Sequence, residues 1–218
     1  MVVGIIDLGR INGFLVEMIE NPSKLGKLEQ EVLVKELNAI SIDAFKKSTP
    51  IEETWERTVG VDVIYLIKDV KDANRIVGYT TNDMMMLAGQ TVNYFSSALF
   101  KREIQQQGLY KMVNDLRLET HPSDIIMTRT QNPLVAAGFK HLCSDNGIVF
   151  FPNGVPTTQE IMIIARAYAP SVNEKLICEG VYGRALMDET PKPVGDIVGM
   201  FKGLNIDRGD GIILIGKK

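Results

Sequence analysis

Between Val61 and Phe100 the chain carries three strand-like runs joined by connections too short to hold a helix. Val61–Ile67 is rich in β-branched residues, and Ile76–Leu87 and Thr91–Phe100 follow it. Asp72-Ala73-Asn74 and Ala88-Gly89-Gln90 supply the turns. Consecutive strands with such connections pair as an antiparallel meander. A doubly wound nucleotide-binding sheet needs helices between its strands, so the meander argues against that architecture.

Helical patterns flank the meander. From Leu28 to Lys47 the apolar residues Leu33, Leu37, Ile40 and Ala44 recur at three and four positions, which predicts an amphipathic helix. Thr49-Pro50-Ile51-Glu52-Glu53 predicts a shorter one, capped by Thr49 with Pro50 in the first position. Ahead of both, residues 13–20 read as a first strand. After the meander, Leu109–Glu119 reads as a helix, Asp124–Thr130 as a strand, and Asn132-Pro133 opens a helix to about Leu142. Beyond Gly147 the pattern weakens. Ile148–Phe151 reads as a short strand and Thr157–Tyr168 as a helix capped by Thr157 or Thr158. Pro191–Leu204 is mixed, Asp207–Gly211 is a tight turn, and the wholly apolar Ile212–Ile215 is a buried closing strand. The expected class is α/β (α+β): a mixed, mostly antiparallel central sheet flanked by helices. It is read as a single domain, with a core over about 28–145 and a C-terminal extension over about 146–218.

The stretch Gln105-Gln106-Gln107-Gly108-Leu109-Tyr110 lies between the third meander strand and the next helix. A strand that passes through a glycine loop into a helix points several backbone N–H groups at one place. That is a natural phosphate or pyrophosphate site. The loop has the form Gln-x-x-Gly-x-Tyr, and the strand Asp124–Thr130 is followed by Gln131 and then Asn132 at the head of a helix.

Loop, meander and downstream Asn together resemble the GNAT acyltransferase superfamily over residues 28–145. The resemblance implies a cytoplasmic N-acyltransferase that moves an acetyl group from acetyl-CoA to a small-molecule or peptide amine. It implies that the backbone of Gln105, Gln106, Gln107, Gly108, Leu109 and Tyr110 holds the pyrophosphate. It implies a bulge at the end of the preceding strand, where backbone groups of Ala98, Leu99 and Phe100 meet the pantetheine arm and the thioester carbonyl. Asn132 is expected to bond the cofactor arm or pin a neighbouring loop. The extension is expected to shape the acceptor pocket or a homodimer contact. Two positions depart from the family pattern. Tyr110 stands where the family has Gly or Ala, and Phe139 stands where it often has a proton-donating Tyr. On the last meander strand Tyr94, Ser96 and Ser97 are polar, but none is a strong base. These departures favour a second reading, a non-catalytic ligand-sensing or interaction module of the same fold.

Composition argues against other classes. A net charge of −3 offers no general attraction for nucleic acid or anionic membrane. No apolar run approaches the length of a membrane span, and no basic leader opens the chain. Cys143 and Cys178 match no zinc spacing and are expected as reduced thiols, Cys143 as a buried apolar group. No metal site is expected. Met84-Met85-Met86 is expected in a strand core, and Lys101-Arg102 as a solvated pair.

Overall fold

The computed structural model describes residues 4–154 and 156–218. The chain divides into two compact units, and the strands β4 and β5 run through both.

The first unit comprises Met1–Asp83 and Phe95–Val113. It holds β1 (Ile5–Ile11), β2 (Phe14–Glu20), α1 (Lys27–Phe45), α2 (Ile51–Thr58), β3 (Val63–Asp69), most of β4 (Arg75–Leu87), the second half of β5 (Gln90–Phe100) and the start of α3 (Leu109–Thr120). The strands lie in sequence order, and β1–β2, β2–β3 and β3–β4 pair antiparallel. The strand expected over 13–20 is β2. It is preceded by β1, an edge strand whose residues are mostly exposed and which has no clean alternation to betray it.

Helix α1 forms where its periodicity predicts. The Glu29 carboxylate accepts the Gly26 N–H at 2.8 Å, and Lys46 ends the helix in a left-handed conformation. Leu33, Leu37 and Ile40 pack with Ile19, Ile64, Leu66 and Tyr79. Burying each such aliphatic side chain contributes about 1.5–3 kcal/mol. The Tyr79 hydroxyl reaches Ser41 Oγ at 2.8 Å inside this core, and burial pushes its pKa up to about 12. Helix α2 starts one residue later than expected. Pro50 is its N-cap, and Thr49 stands outside with its hydroxyl turned back to the Lys47 carbonyl.

The second unit comprises Met84–Tyr94 and Asn114–Lys218. It holds the β4–β5 hairpin tip, the rest of α3, β6 (Ile125–Thr130), α4 (Pro133–Asp145), β7 (Val149–Phe151), α5 (Gln159–Tyr168), β8 (Ile177–Cys178), α6 (Ile197–Phe201) and β9 (Gly211–Lys217). Ala88 and Gly89 both adopt positive φ, as a tight two-residue hairpin turn requires. Met85 packs in the core, whereas Met84 and Met86 are exposed. The methionine run alternates across a pleat and is not the wholly internal segment expected. Strand β5 pairs parallel with β6 through Val92, Asn93 and Tyr94, the one parallel pair among the described strands. Strand β9 pairs antiparallel with β6, β7 and β8, so the closing strand is central and buried, as its composition implies. The segment 191–204 is mostly irregular and holds only the five-residue α6.

Helix α4 opens on Asn132, whose Oδ1 accepts the Leu134 N–H at 2.9 Å, and α5 opens on Thr158. Cys143 and Cys178 are free and buried, and burial pushes the Cys143 thiol up to about 12, so it does not act as a nucleophile. No helix among the described residues is long and apolar enough to cross a membrane.

Candidate functional site

The second half of β5 contains an irregularity that face alternation exposes. Ser96 Oγ lies 2.8 Å from Thr81 Oγ1, so Ser96 shares the Thr81 face. Tyr79 lies two residues from Thr81 on a regularly paired stretch of β4 and points to that same face. Leu99 packs on the cluster that contains Tyr79, so it lies on this face too. Ser96 and Leu99 are three residues apart. In a regular strand they would face opposite ways, so β5 carries an extra residue in the Ser97–Ala98 region. Such a bulge withdraws backbone groups from the ladder and turns them outward. The ladder resumes at Lys101, whose N–H donates to the Val77 carbonyl at 2.8 Å. Phe100 lies over Gly78, where a Cβ would come within 2.6 Å of the ring. Gly78 therefore admits Phe100 and fixes the strand beyond the bulge.

The loop then runs from a single 3-10 turn, Arg102–Ile104, into α3. Ile104 and Leu109 are buried and anchor its two ends, while Gln105, Gln106, Gln107 and Gly108 between them are exposed. Gln105 Nε2 donates to the Phe100 carbonyl at 3.0 Å, which ties the loop back to the strand. The Gln105 side chain and the Phe100 carbonyl are thus engaged with each other. Gln107 Nε2 reaches the Glu103 carbonyl at 3.4 Å. Arg102 is held by Asp43 through its backbone N–H at 2.7 Å and through its guanidinium, so it is an exposed paired cation. The Arg102 backbone N–H, followed by the guanidinium, keeps the Asp43 carboxyl below its usual range.

Gln106 and Gly108 both adopt positive φ, 65° and 73°. A Cβ on Gly108 would meet nothing within 4 Å, so glycine serves the backbone turn there and not a close approach. The N–H groups of Gln106, Gln107, Gly108 and Leu109 find no acceptor among the described residues. Turned loops of this kind, continuing into a helix N-terminus, form anion-binding concavities. Tyr110 is half-buried in the first turn of α3.

Two other expected positions belong to the second unit. Asn132 caps α4, and its own N–H donates to Thr130 Oγ1 at 2.9 Å. Phe139 is fully buried and packs against Phe150 with ring centroids 6.3 Å apart. It is a core residue and supplies no proton.

A carboxylate that the sequence reading missed lies beside β5. Asp83 stands on β4, on the face of Thr81, with the Ser96 hydroxyl as a hydrogen-bond partner. Its pKa is raised, first by burial and then by the negative charge of Asp62, against the opposing pull of the Ser96 hydroxyl. The polar residues Tyr94, Ser96 and Ser97 lie on β5 itself, whereas this carboxylate lies on the neighbouring strand. The signal was a lone acid within a strand pattern.

No protein-family model matches the chain, and no curated protein sequence matches it. Solved structures do. The GCN5-related glucosamine N-acetyltransferase region of a fungal multi-domain GH3 beta-N-acetylglucosaminidase matches with a TM-score of 0.50 at 11% identity, over 78% of this chain and 21% of that one. A GNAT family acetyltransferase from Elizabethkingia anophelis, solved with acetyl-CoA bound, matches at 0.47 and 13% identity, over 95% of this chain and 100% of that one. A proposed acetyltransferase from Pyrococcus horikoshii matches at 0.46 and 17% identity, over 65% of this chain and 45% of that one. At these identities the likeness is one of fold: the chain has the fold of the GNAT N-acetyltransferases.

Proposed function

We propose that the protein is an N-acyltransferase that moves an acetyl group from acetyl-CoA to an amine. The observation that carries this reading is the exposed loop 105–108, with four unengaged N–H groups at the head of α3 and a bulged strand immediately before it. In this reading the N–H groups of Gln106, Gln107, Gly108 and Leu109, with Tyr110 following, hold the pyrophosphate. Gln105 positions the loop from the side. Backbone groups of Ala98, Leu99 and Phe100 meet the pantetheine arm and polarise the thioester carbonyl. The amine nitrogen bonds to the acetyl carbon, the carbon–sulfur bond breaks, and CoA leaves as its thiolate. Asp83 takes the proton that the nitrogen sheds. Its raised pKa brings it closer to neutrality, where a general base works best. Asn132 is committed to capping α4, which leaves it the role of holding the loop at the end of β6.

Calorimetry and thermal shift with acetyl-CoA, CoA and ATP test the reading. Binding of the two CoA compounds, with stabilisation that grows with their concentration, is the expected result. No response to either would sink it. Asp83→Asn is expected to leave acetyl-CoA affinity unchanged and to lower the acyl-transfer rate about 100-fold or more at neutral pH. The rise of rate with pH, which marks deprotonation of Asp83, is expected to vanish in the variant. A variant with the wild-type rate and profile removes Asp83 from the mechanism.

The burial of Phe139 favours the second reading, a binding module without catalysis, because the position holds no proton donor for the thiolate. Tight CoA binding with no thiol release, across a panel of amines, would select that reading.

A further inference from the structure

The second unit holds a half-buried cation that has no counter-ion among the described residues. Arg129 projects from β6 two residues after Met127, on the face that packs against α5. Its guanidinium carbon lies 4.8 Å from the centroid of the Tyr182 ring and 5.7 Å from that of Tyr168. Tyr94 stands next to Tyr168, ring centroids 4.9 Å apart. The Tyr182 hydroxyl donates to the Arg129 carbonyl at 2.8 Å, which fixes the ring against the arginine. On the far side Gly211 leaves room for the stem: a Cβ there would come within 3.1 Å of Arg129 Cγ and 2.7 Å of the Tyr182 ring.

Arg129 forms no ion pair among the described residues, and its Nε is shielded from solvent without a hydrogen-bond partner. Arginine does not escape burial by losing its proton. A desolvated cation is normally matched by a carboxylate within the protein, and aromatic faces offset only part of the cost. Tyr94 does not supply the charge. Burial holds the Tyr94 hydroxyl well above its ordinary value, so it stays neutral. The rings of Tyr168 and Tyr182 lie within cation–π range of the guanidinium, whose N–H edge is the part that takes an anion. That edge matches a planar carboxylate, which accepts two parallel N–H bonds. One guanidinium balances one carboxylate, whereas a phosphate dianion calls for a second cation. Tyr168 and Tyr182 are only partly buried, so the cluster is reached from solvent.

We propose that Arg129, flanked by Tyr168 and Tyr182, binds the carboxylate of a small organic acid of the amino-acid class. The carboxylate site stands on its own geometry.

The test compares L-amino acids with their C-terminal carboxamides, by calorimetry on the full chain, with inorganic phosphate and acetyl-CoA measured on the same samples. At least one acid is expected to bind wild-type protein 10-fold or more tightly than its matched amide. Arg129→Gln is expected to bring that acid down to the level of the amide and to leave acetyl-CoA affinity unchanged, and Arg129→Lys to fall between. Equal binding of acid and amide, no binding of any acid, or a response to phosphate alone overturns the proposal. The first comparison needs only wild-type protein, so a poorly folding variant does not blunt it. Acids that bind while acetyl-CoA does not would remove the acyl-transfer reading and keep the carboxylate site.

Discussion

Replacing Asp210 by alanine is expected to destabilise the protein by about 2 kcal/mol, which for a chain of this size lowers the melting temperature by about 4–8 °C. The Asp210 carboxylate is completely buried and fully used. It accepts the N–H of Gly180 at 2.8 Å and that of Asn205 at 2.9 Å, and takes both Nε and Nη2 of Arg208 at 2.7 Å. It therefore joins two stretches of the second unit: the turn after β8 and the segment 205–210 that leads into β9. Alanine leaves the N–H groups of Gly180 and Asn205 without their acceptor and takes two bonds from the half-exposed Arg208 guanidinium, which keeps Glu179 at 3.0 Å, so each lost bond costs about 0.5–1.5 kcal/mol. The carboxyl is held well below its usual range, first by the Arg208 guanidinium and then by the two N–H groups, against the effect of burial. The sign of the pH dependence follows. A depressed folded value means that the contribution is complete above the unfolded pKa, near 3.8, and fades as pH falls toward the folded one. The melting-temperature gap between wild type and Asp210→Asn is therefore expected to narrow in acid below about pH 4. A gap of less than about 2 °C at neutral pH would show that the rest of the turn holds itself.

Gly108→Pro is expected to weaken acetyl-CoA binding at least 100-fold, about 2.7 kcal/mol. Proline deletes one of the four N–H groups assigned to the pyrophosphate. It also forces φ to about −65° where the loop needs a positive value, so the neighbouring N–H groups are turned away as well. Gly108 is exposed and its surroundings are open, so the fold should survive the change. Gly108→Ala keeps the N–H and strains only the turn. Its affinity is expected to lie between those of the proline variant and wild type. If a folded Gly108→Pro protein bound acetyl-CoA as wild type does, the loop would have no part in cofactor binding.

What could be read from the sequence followed from how local each signal is. The strands β3, β4 and β5 are long, rich in β-branched residues and closed by turn residues, so each declares itself within its own span. Asn132 and Thr158 announced helix starts because a cap is a property of four or five neighbouring residues. Strand β1 did not declare itself: it lies at an edge, with little of it buried. Strand β8 is two residues long, too short for any periodicity. The chemistry was hidden for a different reason. The bulge in β5 depends on which residues Ser96 and Leu99 touch across the sheet, and Asp83 matters only because Ser96 lies beside it. The rings beside Arg129 come from Tyr168 and Tyr182, with Tyr94 against Tyr168, three stretches that only tertiary packing brings together.

The place of β9 bears on how the second unit is made. Strands β6, β7 and β8 all precede it in the chain, and all three take β9 as a partner. Until β9 is in place, β7 and β8 have no strand to pair with and β6 is open along one side. During synthesis these apolar edges emerge early and wait for their common neighbour. Contacts so distant along the chain close slowly, and waiting edges are where chains adhere to one another. The second unit is thus committed to folding as a whole and late, after β9 is available to zip its strands together.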